Sequence, residues 1–147
     1  MAALLVRLRD DLTAARKAQD KSATLLLGTV LADVKNRELE LRRDLTDDDL
    51  QDVLRKAIKR RREAADTYAA AGRSELADHE RAEIAALERY LPAAATDDEV
   101  RAAVRAAIAD GATSIGAVMG RVMPQFRSRA EGARISSIAR EELSRRG

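Results

Sequence analysis

Apolar residues recur along this chain every three or four positions almost from end to end, the spacing of one face of an α-helix. Leu4, Leu5, Leu8, Leu12 and Ala15 form a first stripe, and Leu27, Val30, Leu31, Val34 and Leu41 a second. Strict alternation of apolar and polar residues, the mark of a half-buried strand, is missing. Composition closes the same door. Leu, Ile, Val and Phe make up about 22% of the 147 residues, 30 residues are Ala, and the aromatics are Tyr68, Tyr90 and Phe126 alone. A β-sandwich or barrel needs β-branched and aromatic residues with a turn roughly every 8–12 residues. The expected fold is therefore all-α.

Start and stop signals divide the pattern. Thr46 reads as an N-cap, with Asp47, Asp48 and Asp49 in the first turn of a third helix. That helix carries Leu50, Val53, Leu54, Ala57 and Ile58 and stops at Gly72, a natural left-handed residue after a helix end. Ser74 is expected to cap a fourth helix with Leu76, Ile84, Leu87 and Leu91, closed by Pro92. The pattern then restarts. Thr96 with Glu99 is a capping box ahead of Val100, Ala103, Val104, Ala107 and Ile108, and Gly111 ends that helix. Ser114 caps a short helix that Met123-Pro124 is expected to break, and a last helix runs from about Gly132. This predicts a bundle of about four helices over 1–92 and a three-helix tail over 93–147.

Charge is distributed unevenly. Residues 1–91 carry 18 basic and 18 acidic side chains, whereas 111–147 carry seven Arg against Glu131, Glu141 and Glu142. Two basic features stand out. Arg55-Lys56-Ala57-Ile58-Lys59-Arg60-Arg61-Arg62 places six cations in eight residues. It reads either as a solvated face, with Lys59–Glu63 and Arg62–Asp66 pairs one turn apart, or as a strip for phosphates, with Lys59, Arg60 and Arg62 as its contacts. Arg121, Arg127, Arg129 and Arg134 flank the start of the last helix, where acids are scarce and helix amides favour anions. With so few aromatics, any RNA contact is expected to be to backbone and shape, not to stacked bases.

Signals for catalysis are sparse. There is no Cys, which removes disulfides, zinc ribbons and thiol chemistry. His79 is the only histidine and reads as a solvated surface residue without a second ligand or a placed nucleophile. Asp47, Asp48, Asp49 and Asp52 lack the glycine and oxygen spacing of a calcium loop. No phosphate-binding glycine loop is present, and Gly116 with Gly120 reads as close helix packing. No cofactor and no metal are expected. No apolar run reaches the roughly 20 residues of a membrane span, and no secretory leader is visible. A cytoplasmic location is expected.

Several blocks in order carry a resemblance. They are Leu39-Glu40-Leu41-Arg42-Arg43-Asp44-Leu45-Thr46-Asp47, Ile58-Lys59-Arg60-Arg61-Arg62-Glu63, and Ala71-Gly72-Arg73 through Glu80. Ala82 through Pro92 follows, then Gly111-Ala112-Thr113-Ser114, Val118-Met119-Gly120-Arg121-Val122-Met123-Pro124 and Arg129-Ala130-Glu131-Gly132. Together they resemble the GatB/YqeY family over nearly the whole chain. The resemblance implies a helical subdomain with a three-helix tail. In the B subunit of the tRNA-dependent amidotransferase the similar region follows a catalytic cradle domain and helps hold the tRNA. That family carries a carbon–nitrogen ligase label with glutamine as amido donor, but the kinase-like and glutaminase parts have no counterpart here. Ala117, Gln125, Ser128 and Gly28 depart from the pattern, three of them where the family tends to carry a cation.

The leading expectation is a tRNA-associated module that is not catalytic alone, with Arg121, Arg127, Arg129 and Arg134 as phosphate contacts. The alternative is a protein-interaction module that docks on the amidotransferase or an aminoacyl-tRNA synthetase. An enzyme assisting amide transfer is motivated by the family label alone.

Overall fold

The structure, a computed structural model, describes residues 1–127 and 129–146. Among them every regular element is helical: α1 (Ala3–Lys17), α2 (Lys21–Leu41), α3 (Asp47–Ala70), α4 (Ser74–Glu88), α5 (Asp97–Ala109), α6 (Ile115–Phe126) and α7 (Gly132–Arg146). The all-α expectation holds. The chain divides into two compact units, Met1–Leu91 and Pro92–Gly147.

In the first unit α3 and α4 form an extended antiparallel hairpin, and α1 packs on α2. The sequence stripes become the core. Leu8 of α1, Val30 of α2, Leu50 and Leu54 of α3 and Leu87 of α4 are fully buried. That core is aliphatic throughout, as the scarcity of aromatics requires. In the second unit Val100 and Val104 of α5, Val118 and Val122 of α6, and Ile135 and Ala139 of α7 meet in a separate small core. Phe126 closes it.

The caps explain where the helices begin and end. Thr46 Oγ1 accepts from the Asp49 N–H at 3.2 Å while the Asp49 carboxylate accepts from the Thr46 N–H at 2.9 Å. Asp47 turns away and accepts the Leu4 N–H at the start of α1, at 3.1 Å. The carboxylates of Asp47 and Asp49 are thereby committed to the ends of two helices. Gly72 (φ +74°) and Gly111 (φ +105°) sit in the left-handed region after α3 and α5. There the Arg73 N–H donates to Tyr68 O and the Ala112 N–H to Ala107 O, closing the last turns. After α1 the same turn is made by Gln19 (φ 56°), without a glycine.

Three expected boundaries are corrected. α4 ends at Glu88, so Leu91 and Pro92 lie beyond it and do not close it. Ser74 is the first residue of α4 and does not cap it; the capping position is Arg73, which makes no side-chain cap bond. Ser74, Glu75 and Leu76 are exposed, so solvent serves the first amides in place of a capping hydroxyl. Pro124 does not break α6, which continues to Phe126. Proline costs a helix the bond to the carbonyl four residues back. Here that loss falls within three residues of the natural end, and burial of Phe126 (6% exposed) holds the last turn in place.

Candidate functional site

The arginines of the second unit are engaged inside it. Arg129 Nη2 lies 2.6 Å from Glu99 Oε2, and its Nε donates to Ala93 O. Arg134 Nε lies 2.6 Å from Asp97 Oδ1, and its Nη2 donates to Ala95 O. Both guanidinium groups thus clasp the acidic first turn of α5 and the stretch of chain that leads into it. Arg121 Nη1 donates to Ala107 O and Asp110 O at the opposite end of α5, with Arg146 reaching Ile108 O beside it. Cations are favourable there because the last carbonyls of a helix lack partners. Arg127 is exposed just after α6. Ser128, where the chain departs from the family pattern, lies outside the described residues.

A second set binds α5 to α7. The Glu142 carboxylate is 6% exposed and accepts from Arg101 Nη1 at 2.6 Å and from Arg105 Nε at 3.1 Å. The hydrogen bonds from Arg105 and Arg101 hold its pKa down at about 2. The basic surplus of 111–147 is therefore partly cancelled in space by acids of α5, and acids of α7 in turn meet arginines of α5.

On α3 the basic run splits by direction. Arg61 is nearly buried and binds Glu83 of α4 at 2.9 Å while donating to Ala57 O. Arg62 reaches Glu88 of α4 at 3.6 Å, not Asp66 on its own helix. The α3–α4 hairpin places that carboxylate within reach. Arg60 bridges to Asp33 of α2 at 2.7 Å, with its side chain 61% exposed. Lys56 and Lys59 are exposed and hold no ion pair among the described residues. Lys56, Lys59 and Arg60 share one face at positions i, i+3 and i+4. They edge an open groove of about 710 Å³ between α2 and α3.

A cleft of about 460 Å³ lies between α1, the start of α2 and α4. His79 lines it, 58% exposed, with Nε2 at 2.8 Å from Glu83 Oε1. The histidine expected to be merely solvated is thus held by the same carboxylate that binds Arg61. Tyr90 closes the cleft at the end of α4. Its hydroxyl donates to Asp11 of α1, and the Arg7 guanidinium stacks over its ring at 4.6 Å. Burial, followed by the Asp11 hydrogen bond, pushes the Tyr90 hydroxyl up to about 12. Ser22 also lines the cleft, but no hydrogen bond joins it to His79 among the described residues, so no activated nucleophile is formed. No group of three or more His, Cys, Asp or Glu residues there is arranged to hold a metal ion, again among the described residues.

The model of the family described as Yqey-like protein matches residues 5–143. The chain belongs to this family. Two curated relatives bear the name "Altered inheritance of mitochondria protein 41, mitochondrial". The one from Pyrenophora tritici-repentis is 29% identical over 86% of this chain and 73% of its own length. The one from Eremothecium gossypii is 31% identical over 60% of this chain, which spans about half, 49%, of that relative. Among the described residues no helix is long and apolar enough to cross a membrane.

Within this family member the cations marked from sequence are shared between the two units. Lys59, Arg60 and Arg62 belong to α3 in the first unit, and Arg121, Arg127, Arg129 and Arg134 to the second. Sequence reasoning missed the cleft entirely. Asp11 and Tyr90 are 79 positions apart, and the one available signal was Tyr90 itself, an amphipathic ring in a chain almost without aromatics.

Proposed function

We propose that this chain is a cytoplasmic, tRNA-associated helical module, related to the tRNA-holding region of the amidotransferase B subunit and not catalytic by itself. Family membership supports the reading, and one observation carries it: the exposed edge formed by Lys56, Lys59 and Arg60 beside the α2–α3 groove. Two of these three cations form no ion pair among the described residues, the groove's Asp33, Glu40 and Asp52 being taken by arginines, and the spacing of a helix face suits successive phosphates. Arg62 flanks the edge. Arg121, Arg129 and Arg134 add to RNA binding only through the guanidinium faces that their internal partners leave open.

Gel shift with tRNA across a salt series tests this. The triple variant Lys56→Ala, Lys59→Ala, Arg60→Ala is expected to flatten the log–log salt dependence by about 2–3 units, close to one for each phosphate no longer neutralised. Absence of binding at low salt, or an unchanged slope, overturns the reading.

A second reading, docking on the amidotransferase or a synthetase, is favoured by the outer face of α2. Leu25 is 74% exposed and Leu39 66% exposed on that helix, with Gly28 and Ala32 between them. Such apolar exposure marks interaction sites when it is contiguous. Leu25→Asp is expected to abolish recovery of the partner in a pull-down with either purified protein while leaving tRNA binding intact.

A further inference from the structure

The cleft between α1, α2 and α4 exists because small side chains from three helices face one another. Ala14, Ala23, Ala82 and Ala86 leave a space that larger residues would fill, above a floor of Leu26 and Leu27. At about 460 Å³ it falls in the size range of small-molecule sites.

Its rim carries the carboxylates of Asp11, Asp20 and Glu83 and the guanidinium groups of Arg7 and Arg89, and the two kinds of group differ in how far they are engaged. Every acid there has taken a donor. Asp11 accepts from the Tyr90 hydroxyl, Asp20 from the Ala23 N–H at 3.1 Å, and Glu83 from both Arg61 and His79. The donors are not used up. Arg7 makes one long bond of 3.3 Å to Arg89 O and stacks on Tyr90, but reaches no carboxylate among the described residues. The Arg89 guanidinium makes no hydrogen bond or ion pair among the described residues, although it lies near enough to Tyr90 to act on it electrostatically. The contrast is with Arg60, Arg61, Arg101, Arg105, Arg129 and Arg134, each of which meets an acid. Arg7 and Arg89, both exposed and without a carboxylate among the described residues, sit on the rim of one cleft and leave their guanidinium groups open to an acceptor from outside.

We propose that this cleft binds a small amphiphilic oxyanion, its carboxylate or phosphate headgroup on Arg7 and Arg89 and its short hydrocarbon tail on the alanine and leucine floor. The Tyr90–Asp11 bond fixes the wall against which Arg7 stacks, so Arg7 is presented in one orientation. Arg89, at the end of α4, is the adjustable partner. The site shares no lining residue with the groove beside the Lys56–Arg60 edge and does not depend on RNA binding.

Titration of the isotope-labelled full chain, followed by backbone amide shifts, tests it with four probes. Hexanoate and hexyl phosphate are expected to give saturable shifts at Ala14, Ala23 and Ala86, and whichever binds tighter names the headgroup. Acetate and hexylammonium are expected to bind at least about tenfold more weakly, one lacking the tail and the other the negative charge. Arg89→Ala is expected to weaken the better anion about tenfold, with the melting temperature unchanged because that side chain has no internal partner among the described residues. Ala86→Phe, which fills the cleft, is expected to remove binding altogether. The proposal is overturned by an absence of saturable shifts at millimolar hexanoate and hexyl phosphate, or by equal binding of acetate or hexylammonium. Shifts confined to Lys56 and Lys59, or full affinity in Arg89→Ala, overturn it as well.

Discussion

Leu54→Ala is expected to destabilise the Met1–Leu91 unit by about 3–4 kcal/mol, within the range seen when a fully buried leucine is truncated. Leu54 is 0% exposed and sits on α3 in the same core as Leu8, Leu50 and Leu87, all likewise sealed from solvent. The neighbours are leucines and valines on helices held by their caps and by one another, so they collapse only partly into the space left behind. This chain has little apolar surface to spare, with Ala supplying much of its hydrophobic count. The measurement has a built-in monitor. Both tyrosines, Tyr68 and Tyr90, lie in the first unit, while Phe126 is in the second. Tyrosine fluorescence in a urea titration therefore follows the first unit, and far-ultraviolet circular dichroism follows both. A loss below about 1 kcal/mol would show that the core is not packed as described.

Acid should unfold the second unit through Glu142. Its carboxyl is held at about 2 in the folded chain, first by Arg105 and then by Arg101, against roughly 4.3 when unfolded. A depressed folded value means that the stabilisation is complete above the unfolded value and disappears as pH falls from about 4 towards 2. Glu142→Gln keeps the shape but removes the charge. At neutral pH it is expected to lower the melting temperature of the second unit by roughly 5 °C. Variant and parent should converge as the pH approaches about 2. Hydrogen exchange at Val100 and Ile138, core residues of α5 and α7, reports this unit alone. Equal acid sensitivity of parent and variant would show that the Arg101–Glu142–Arg105 cluster does not hold α5 to α7. Glu99, lowered by Arg129, keeps some acid dependence in both proteins.

Much of the fold was legible because helix formation is signalled locally. Thr46, Thr96 and Ser114 sit at the caps, and Gly72 and Gly111 at the stops, where neighbouring backbone groups demand them. The misses have different causes. Gln19 and Arg42 take left-handed turns with no glycine to announce them, and Pro124 stays helical because burial of Phe126 outweighs a single lost hydrogen bond. At Pro124 packing overrode local preference, whereas the turn at Gln19 is closed by backbone hydrogen bonds to Arg16 O and Ala15 O.

The site was much less legible. Sequence located the cations but not their partners. Arg134 meets Asp97 across 37 positions, and Arg101 meets Glu142 across 41. A local charge count cannot register such pairs, so 111–147 reads as more basic than its surface is. Lys56 and Lys59 differ from these arginines not in charge but in forming no ion pair among the described residues, because Asp33 and Glu40 of α2, across the same groove, are taken by Arg60 and Arg37. The cleft shows the same division more sharply. Periodicity alone determined that Ala14, Ala23 and Ala86 lie on helices. That they face one another around Arg7 and Arg89 was decided by the packing of α1, α2 and α4. Hydrogen-bonded turns act over four residues and are written in the local sequence. Ion pairs and cavities form between surfaces brought together by burial, and those only the folded chain specifies.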